Sequence, residues 1–140
     1  MLRAIILAAI LAGTTSEGSA ADLEISVTGA VPAVGEILLS VFDTADNWMR
    51  SPVASRTIEV TSAGTAKVRL AVPPGRYGIA IIHDANGNGV LDTGPLRIPR
   101  EAFAFSNRAQ ARFGPPLFER AAFTLPPEGA AVRIPLTTAN

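Results

Sequence analysis

The sequence predicts an all-β fold, an antiparallel β-sandwich of the prealbumin or immunoglobulin type with about seven strands. Apolar and polar residues alternate with a period of two in most of the chain, which is typical of half-buried strands. Gly, Pro, Asn or Asp bounds each alternating run, and these residues favour turns. Short strands of this kind bury their apolar faces by packing two sheets against each other.

The predicted strands follow one another at short intervals. Their inward-facing residues are, in chain order, Leu23, Ile25 and Val27; Ile37, Leu39 and Val41; Val68, Leu70 and Val72; Tyr77, Ile79 and Ile81; Phe123 and Leu125; and Val132, Ile134 and Leu136. The range 57–60 is a weaker candidate for a further strand. Between the third and fourth of these runs, Pro73, Pro74 and Gly75 predict a tight connection, because proline fixes φ and glycine tolerates positive φ.

Residues 1–21 are typical of a secretory signal peptide. Arg3 supplies positive charge, residues 4–12 are a short apolar run, and small or polar residues continue to Ala20 and Ala21, near which we expect cleavage. The apolar run is too short to span a bilayer, which disfavours the alternative of a retained membrane anchor. We therefore expect a single β-sandwich domain, residues 22–140, that is periplasmic or secreted and has no transmembrane anchor after cleavage.

Composition excludes several classes of protein. The chain has no cysteine, which excludes a lipid-attached signal, a disulfide scaffold and a thiolate metal site. Without Arg3 and Glu17 of the signal, the 12 basic and 12 acidic residues become 11 of each, so the net charge is zero. The basic residues are scattered rather than gathered into a stripe, and we expect no nucleic-acid partner.

The range 83–92 carries the most specific chemical signal. Counted from Asp84, side-chain oxygens occupy positions 1, 3, 5 and 9, which belong to Asp84, Asn86, Asn88 and Asp92. The Val90 carbonyl stands at position 7 and Gly89 at position 6, as in a calcium loop of the EF-hand type. Position 12 is Pro95 instead of a bidentate glutamate, so the loop is not an EF-hand. The spacing predicts a Ca²⁺ site with an incomplete set of ligands.

A carboxylate from outside the loop would complete this site. We expect Glu101 to be that ligand, with Glu119 as the second choice. Two loop carboxylates only neutralise one Ca²⁺, which predicts weak binding, on the order of 10⁻⁴ to 10⁻³ M, and Mg²⁺ fits less well because it demands a strict octahedron. The alternative is a plain turn in which the Asp and Asn side chains hydrogen-bond their own backbone. Asp and Asn are common both in Ca²⁺ sites and in such turns, so the sequence leaves both alternatives open.

His83 is the only histidine of the chain. One histidine does not make a zinc site, and no Gly-x-Ser-x-Gly motif places a serine for attack. Ser106 lies between Phe105 and Asn107, a local sequence that is typical of a helix cap or a turn. We expect His83 to end a strand with its ring bonded to a nearby carbonyl. A small hydrolase that uses His83 and nearby carboxylates is kept as an alternative function.

Residues 96–122 form one long irregular insertion that is rich in phenylalanine, proline and arginine. So many aromatic residues indicate packing rather than disorder, and a helical turn or two is expected within 101–111. Phe103 and Phe105 are candidate contacts for a ligand or partner, together with His83 and Trp48. Trp48 lies in the polar loop 43–52, where it either stacks on a ligand or folds over the open end of the sandwich.

Several short motifs stand in a fixed order along the chain. They are Pro74-Gly75-x-Tyr77, His83-Asp84-x-Asn86-x-Asn88-Gly89-x-Leu91-Asp92, Ile98-Pro99-x-Glu101, Phe105-Ser106-Asn107 and Gly114-Pro115-Pro116-x-Phe118-x-x-Ala121-x-Phe123. This set resembles the bacterial domain of unknown function 2141 family over nearly all of residues 22–140. The resemblance implies an exported bacterial protein of one small β-domain with no established activity, and places residues 96–122 inside that domain.

The sequence thus predicts an exported binding or interaction module of unknown physiological role with a weak structural calcium site. The expected partner is a cell-envelope protein or a polysaccharide. The alternatives are the small hydrolase and a purely structural envelope protein without a ligand.

Overall fold

A computed structural model of the chain describes residues 19–86 and 102–136, which form eight strands, a 3-10 turn and a short helix. The strands are β1 Ala21–Thr28, β2 Glu36–Phe42, β3 Ala54–Glu59, β4 Ala66–Val72, β5 Gly75–Asp84, β6 Phe103–Phe105, β7 Phe123–Leu125 and β8 Ala130–Pro135. The 3-10 turn is Ser106–Arg108 and the helix α1 is Phe118–Ala121. The prediction of an all-β sandwich is confirmed.

Two sheets make up the sandwich. The first has the strand order β4–β1–β8, and the second has the order β3–β2–β5–β6, with β7 paired to the beginning of β5. All pairs are antiparallel except β1 with β8, which run parallel. Apolar and polar residues alternate in the same way in parallel and in antiparallel strands. The sequence pattern therefore does not predict that β1 and β8 run parallel.

The core between the sheets consists of the residues that the alternation turns inward. The largest side chains with less than 2% exposure include Leu23, Ile25, Ile37, Leu39, Ile79, Ile81, Leu125 and Ile134. Val68, Val72 and Val132 pack against this core while staying partly exposed, because β4 and β8 are the edges of the first sheet. Ala21, one residue before the predicted domain boundary, is already buried in β1 and pairs with Val72.

A second apolar cluster covers the outer face of the second sheet. It joins Phe42 and Ala80 of the sheet to residues of the aromatic-rich segment, namely Phe105, Phe118, Ala121 and Ala122. The described part of this segment is therefore more regular than predicted, since it contains β6, the 3-10 turn and α1. Elements of three or four residues are too short to show a period, which is why the sequence did not reveal β6 and α1. In the described ranges, no helix has the length and apolar character needed to cross a membrane.

Candidate functional site

The predicted calcium loop begins at the last residue of β5. The Asp84 side chain is fully buried there, and Asn86 is exposed two residues later. The other four predicted ligands, Asn88, Val90, Asp92 and Glu101, lie outside the described residues. Within residues 19–86 and 102–136, no group of three or more His, Cys, Asp or Glu side chains converges as a metal site would require. Glu119, the second choice as the completing ligand, instead pairs with Arg76 at 2.7 Å.

Strand pairing places a further carboxylate beside Asp84. The register of β2 with β5 sets Glu36 opposite Asp84, and the register of β2 with β3 sets Glu59 on the other side of Glu36. Directly opposed residues point to the same face with Cβ atoms about 5 Å apart, and like charges in such pairs destabilise a sheet. The sequence alone does not place Glu36 beside Asp84, because this position depends on a strand register that only the folded chain reveals.

The chain before β2 lies tightly against the beginning of the predicted loop. Gly35 has a φ of +66°, and a Cβ atom built on it comes within 2.3 Å of the Asp84 carbonyl oxygen. Only glycine combines this positive φ with such a close approach of two backbones. Gly35 therefore holds the Val34–Glu36 segment against the end of β5, where Asp84 starts the loop.

His83 is part of the scaffold at the same end of the sheet. Its Nε2 atom lies 2.6 Å from the Val34 carbonyl oxygen, and only 4% of the residue is exposed. Since a carbonyl only accepts, Nε2 carries the proton and donates. The backbone N–H of His83 donates to the Ala102 carbonyl at 2.8 Å. The prediction of a strand-end histidine bonded to a carbonyl is confirmed.

Ser106 fills a gap in the hydrogen-bond ladder of β5. β6 pairs with residues 80–82 and β7 with residues 75–77, and the Ile79 N–H between them donates to Ser106 Oγ at 2.8 Å. Ser106 Oγ in turn donates to the Ala121 carbonyl at 2.5 Å, and the residue is fully buried. The Ser106 hydroxyl thus accepts one hydrogen bond from β5 and donates another to α1. Because Ser106 directly follows β6, these bonds connect β5, β6 and α1.

Trp48 lies on the outer face of the second sheet rather than over the open end of the sandwich. Its ring centroid is 5.0 Å from Phe42, 5.8 Å from Phe118 and 6.0 Å from Phe105. Its Nε1 donates to the Pro116 carbonyl at 2.7 Å. Trp48 is half-buried, Phe105 is only 7% exposed, and Phe103 stands at the edge of the cluster, 6.0 Å from Phe105.

A pocket of about 660 Å³ opens beside this aromatic cluster, between the 3-10 turn and the beginning of α1. Arg108, Arg112 and Arg120 line it, with amides from Asn107 and Gln110, and no acidic residue stands among the described residues of the lining. A second, smaller pocket of about 400 Å³ lies on the outer face of the second sheet around residues 38–42. Three arginines and no described acidic residue give the larger of these two pockets a positive charge.

Comparison with known proteins identifies one family. A family model described as "Uncharacterized protein conserved in bacteria (DUF2141)" matches residues 25–133 of the 140. No curated protein and no solved structure matches the chain.

Proposed function

The chain belongs to the uncharacterised bacterial family DUF2141, and we propose that it is an exported binding module with a structural Ca²⁺ site in the loop 84–92. The observation that carries the calcium part of this proposal is the position of Asp84, fully buried at the end of a central strand and opposite Glu36. The sequence pattern of residues 1–21 supports export to the periplasm or beyond.

The hydrogen bonds of His83 and Ser106 favour a binding role over hydrolysis. A serine nucleophile must present its hydroxyl to a substrate and receive help from an adjacent base. Here the Ser106 hydroxyl joins two backbone groups, and the His83 ring donates to a carbonyl. Both side chains stabilise the scaffold, so an acyl-transfer mechanism has no support from these two residues.

A bound Ca²⁺ would stabilise the end of the second sheet. Asp84 is the first ligand of the predicted loop, and Glu36 would offer a carboxylate at the same end of the ladder. A divalent cation would remove the repulsion between the two carboxylates and tie the loop to β2 and β5. Since the folded chain alone presents these oxygens together, binding would raise the free energy of unfolding.

Thermal unfolding of the full chain tests this proposal. At 10 mM Ca²⁺, a dissociation constant on the order of 10⁻⁴ to 10⁻³ M corresponds to about 1.4 to 2.7 kcal/mol of added stability. We expect a rise in Tm over EDTA that Mg²⁺ does not reproduce and that Asp84→Asn abolishes. Glu128→Gln is the matched control, because it removes an exposed carboxylate in the turn between β7 and β8 rather than in the ladder that holds Asp84 and Glu36. An unchanged Tm up to 10 mM Ca²⁺ would refute the calcium site.

A further inference from the structure

Three arginines line one pocket, and no described acidic residue pairs with them. Within residues 19–86 and 102–136, the ion pairs join Arg69 to Glu24 and Arg76 to Glu119, and the pocket arginines take part in neither. Arg120 follows Glu119 directly in the chain, but that carboxylate lies 2.7 Å from Arg76. Arg108, Arg112 and Arg120 therefore face the same pocket with their positive charges uncompensated by described carboxylates.

The backbone around this pocket is held in place by contacts with the rest of the domain. Asn107 Nδ2 donates to the Arg120 carbonyl at 3.0 Å, which joins the two ends of the lining. Trp48 Nε1 donates to the Pro116 carbonyl at 2.7 Å, which joins the pocket wall to the aromatic cluster. A pocket that is formed before binding loses less conformational entropy when a ligand enters.

Two residues of the lining and one residue beside it have a positive φ. Asn107 and Arg108 are consecutive non-glycine residues with φ of 57° and 52°, and Phe113 nearby has a φ of 55°. Such conformations cost about 1–3 kcal/mol each and gather at ligand clamps and other functional sites. Asn107 and Arg108 therefore combine this backbone conformation with a place in the pocket lining, which agrees with a binding role.

We infer that this pocket binds a phosphate group. A guanidinium presents a planar fork of donors that matches phosphate oxygens, and phosphate carries more negative charge than one carboxylate. Three arginines, with the amide of Gln110, suit such an anion. The volume of about 660 Å³ also leaves room for the organic part of a phosphate ester. This inference deepens the proposed binding role by naming its ligand, and it is independent of the calcium loop.

The phosphate would come either from a soluble compound or from a lipid headgroup. Leu117 and Phe113 stand beside the pocket arginines and are 71% and 112% exposed. Exposed apolar side chains next to a basic pocket are compatible with a membrane surface, where they would enter the headgroup region. The two sources share the phosphate chemistry, and the experiment below separates them.

Trp48 is the only tryptophan and contacts the pocket wall, so its fluorescence reports on this site. The full chain is titrated with potassium phosphate, with potassium chloride at matched ionic strength as the reference. We expect a saturable change with phosphate only, and an affinity lowered about tenfold or more in both Arg112→Gln and Arg120→Gln. Arg69→Gln is the matched control, since it removes an exposed arginine elsewhere, and it should leave the affinity unchanged. Equilibrium dialysis with labelled phosphate provides a second readout that does not depend on fluorescence.

Sedimentation with vesicles distinguishes the two sources. Co-sedimentation with phosphatidylglycerol vesicles that is lost in Arg112→Gln would support the site and assign it to a lipid headgroup. Phosphate binding without co-sedimentation would support the site and assign it to a soluble phosphate compound. Absence of both, or binding that Arg112→Gln and Arg120→Gln leave unchanged, would overturn the inference. These outcomes are separate from the Ca²⁺ test, because no substitution at the pocket touches Asp84 or Glu36.

Discussion

Ser106 Oγ accepts a hydrogen bond from the Ile79 N–H at 2.8 Å, so a side chain takes the place of a neighbouring strand in the ladder of β5. The two residues are far apart in the chain, and the contact is fully buried. It connects the aromatic-rich segment to the central strand of the second sheet.

Ser106→Ala should destabilise the domain by about 2–4 kcal/mol. The substitution leaves the Ile79 N–H and the Ala121 carbonyl buried without their partner, and each such group costs about 1–3 kcal/mol. Urea unfolding should show a lower midpoint with an unchanged slope. Ser55→Ala on the exposed edge strand β3 is the control and should change stability by less than about 0.5 kcal/mol. An equally small effect of Ser106→Ala would show that the Ser106 hydroxyl does not stabilise the domain through these buried hydrogen bonds.

Gly78→Ala should displace Trp48 from the outer face of the second sheet. A Cβ atom at Gly78 would lie 2.9 Å from Trp48 Cζ3 and 3.2 Å from Phe118 Cε2, so the rings must shift. We expect a red-shifted Trp48 emission, loss of its bond to Pro116, and a destabilisation of about 1–3 kcal/mol.

Gly75→Ala in the same strand is the matched control for this displacement. Its Cβ meets its nearest neighbour, Tyr77 Cε2, at an ordinary 3.8 Å. The emission of Trp48 should then stay unchanged. An unshifted emission in Gly78→Ala as well would show that the ring does not pack on this backbone.

Stability should fall at alkaline pH as Tyr77 ionises. Burial raises the pKa of Tyr77 above its usual 10.0, and the negative charge of Asp43 adds to the rise. The unfolded chain then releases this proton at a lower pH than the folded chain. The contribution to stability is complete below pH 10 and is lost as pH rises through the raised pKa.

Tyr77 is the only tyrosine, so phenolate absorbance follows it directly. The pKa of Tyr77 should be higher in the folded chain than in the denatured chain. Asp43→Asn should lower the pKa of the folded chain toward the denatured value. Equal titration of the folded and denatured chains would contradict the burial of this phenol.

Glu36→Gln should raise the stability of the domain without calcium and reduce its stabilisation by calcium. In EDTA it removes the repulsion between Glu36 and Asp84, which should raise stability by about 0.2–1 kcal/mol. With 10 mM Ca²⁺ it removes an expected ligand, so the calcium-induced rise in Tm should shrink. Unfolding curves of Glu36→Gln and of the control Glu128→Gln under both conditions measure this reversal. A gain of stability that is the same in both conditions would leave Glu36 outside the metal site.

Under the proposed export, the mature chain should begin at Ala21, through cleavage after Ala20. Ala21 is 2% exposed and pairs with Val72 at the end of β4, so this cut preserves the whole of β1. Mass spectrometry of the protein from a periplasmic or culture-medium fraction measures the terminus. Recovery of the intact chain from the cytoplasm alone would contradict export.

The strands of the core were predictable, whereas the short elements on the outer face were not. The alternation in Ile37–Val41 and Tyr77–Ile81 identified inward faces that the structure buries. β6 and α1 have three and four residues, fewer than a period needs, and their conformations depend on contacts with β5. Trp48 was assigned to a loop, but its docking on Phe42 and Gly78 depends on residues distant in sequence.

Local sequence is enough to identify the strand residues that face the core, because apolar alternation is present within each short segment. It also singled out Asp84 as the start of an oxygen-rich loop, since ligand spacing is local as well. Three relationships emerge only in the folded chain. Glu36 lies opposite Asp84, Ser106 Oγ accepts a hydrogen bond from the Ile79 N–H of β5, and three arginines line one pocket. These relationships come from strand register and long-range packing, which are set by the free energy of the whole domain rather than by neighbouring residues.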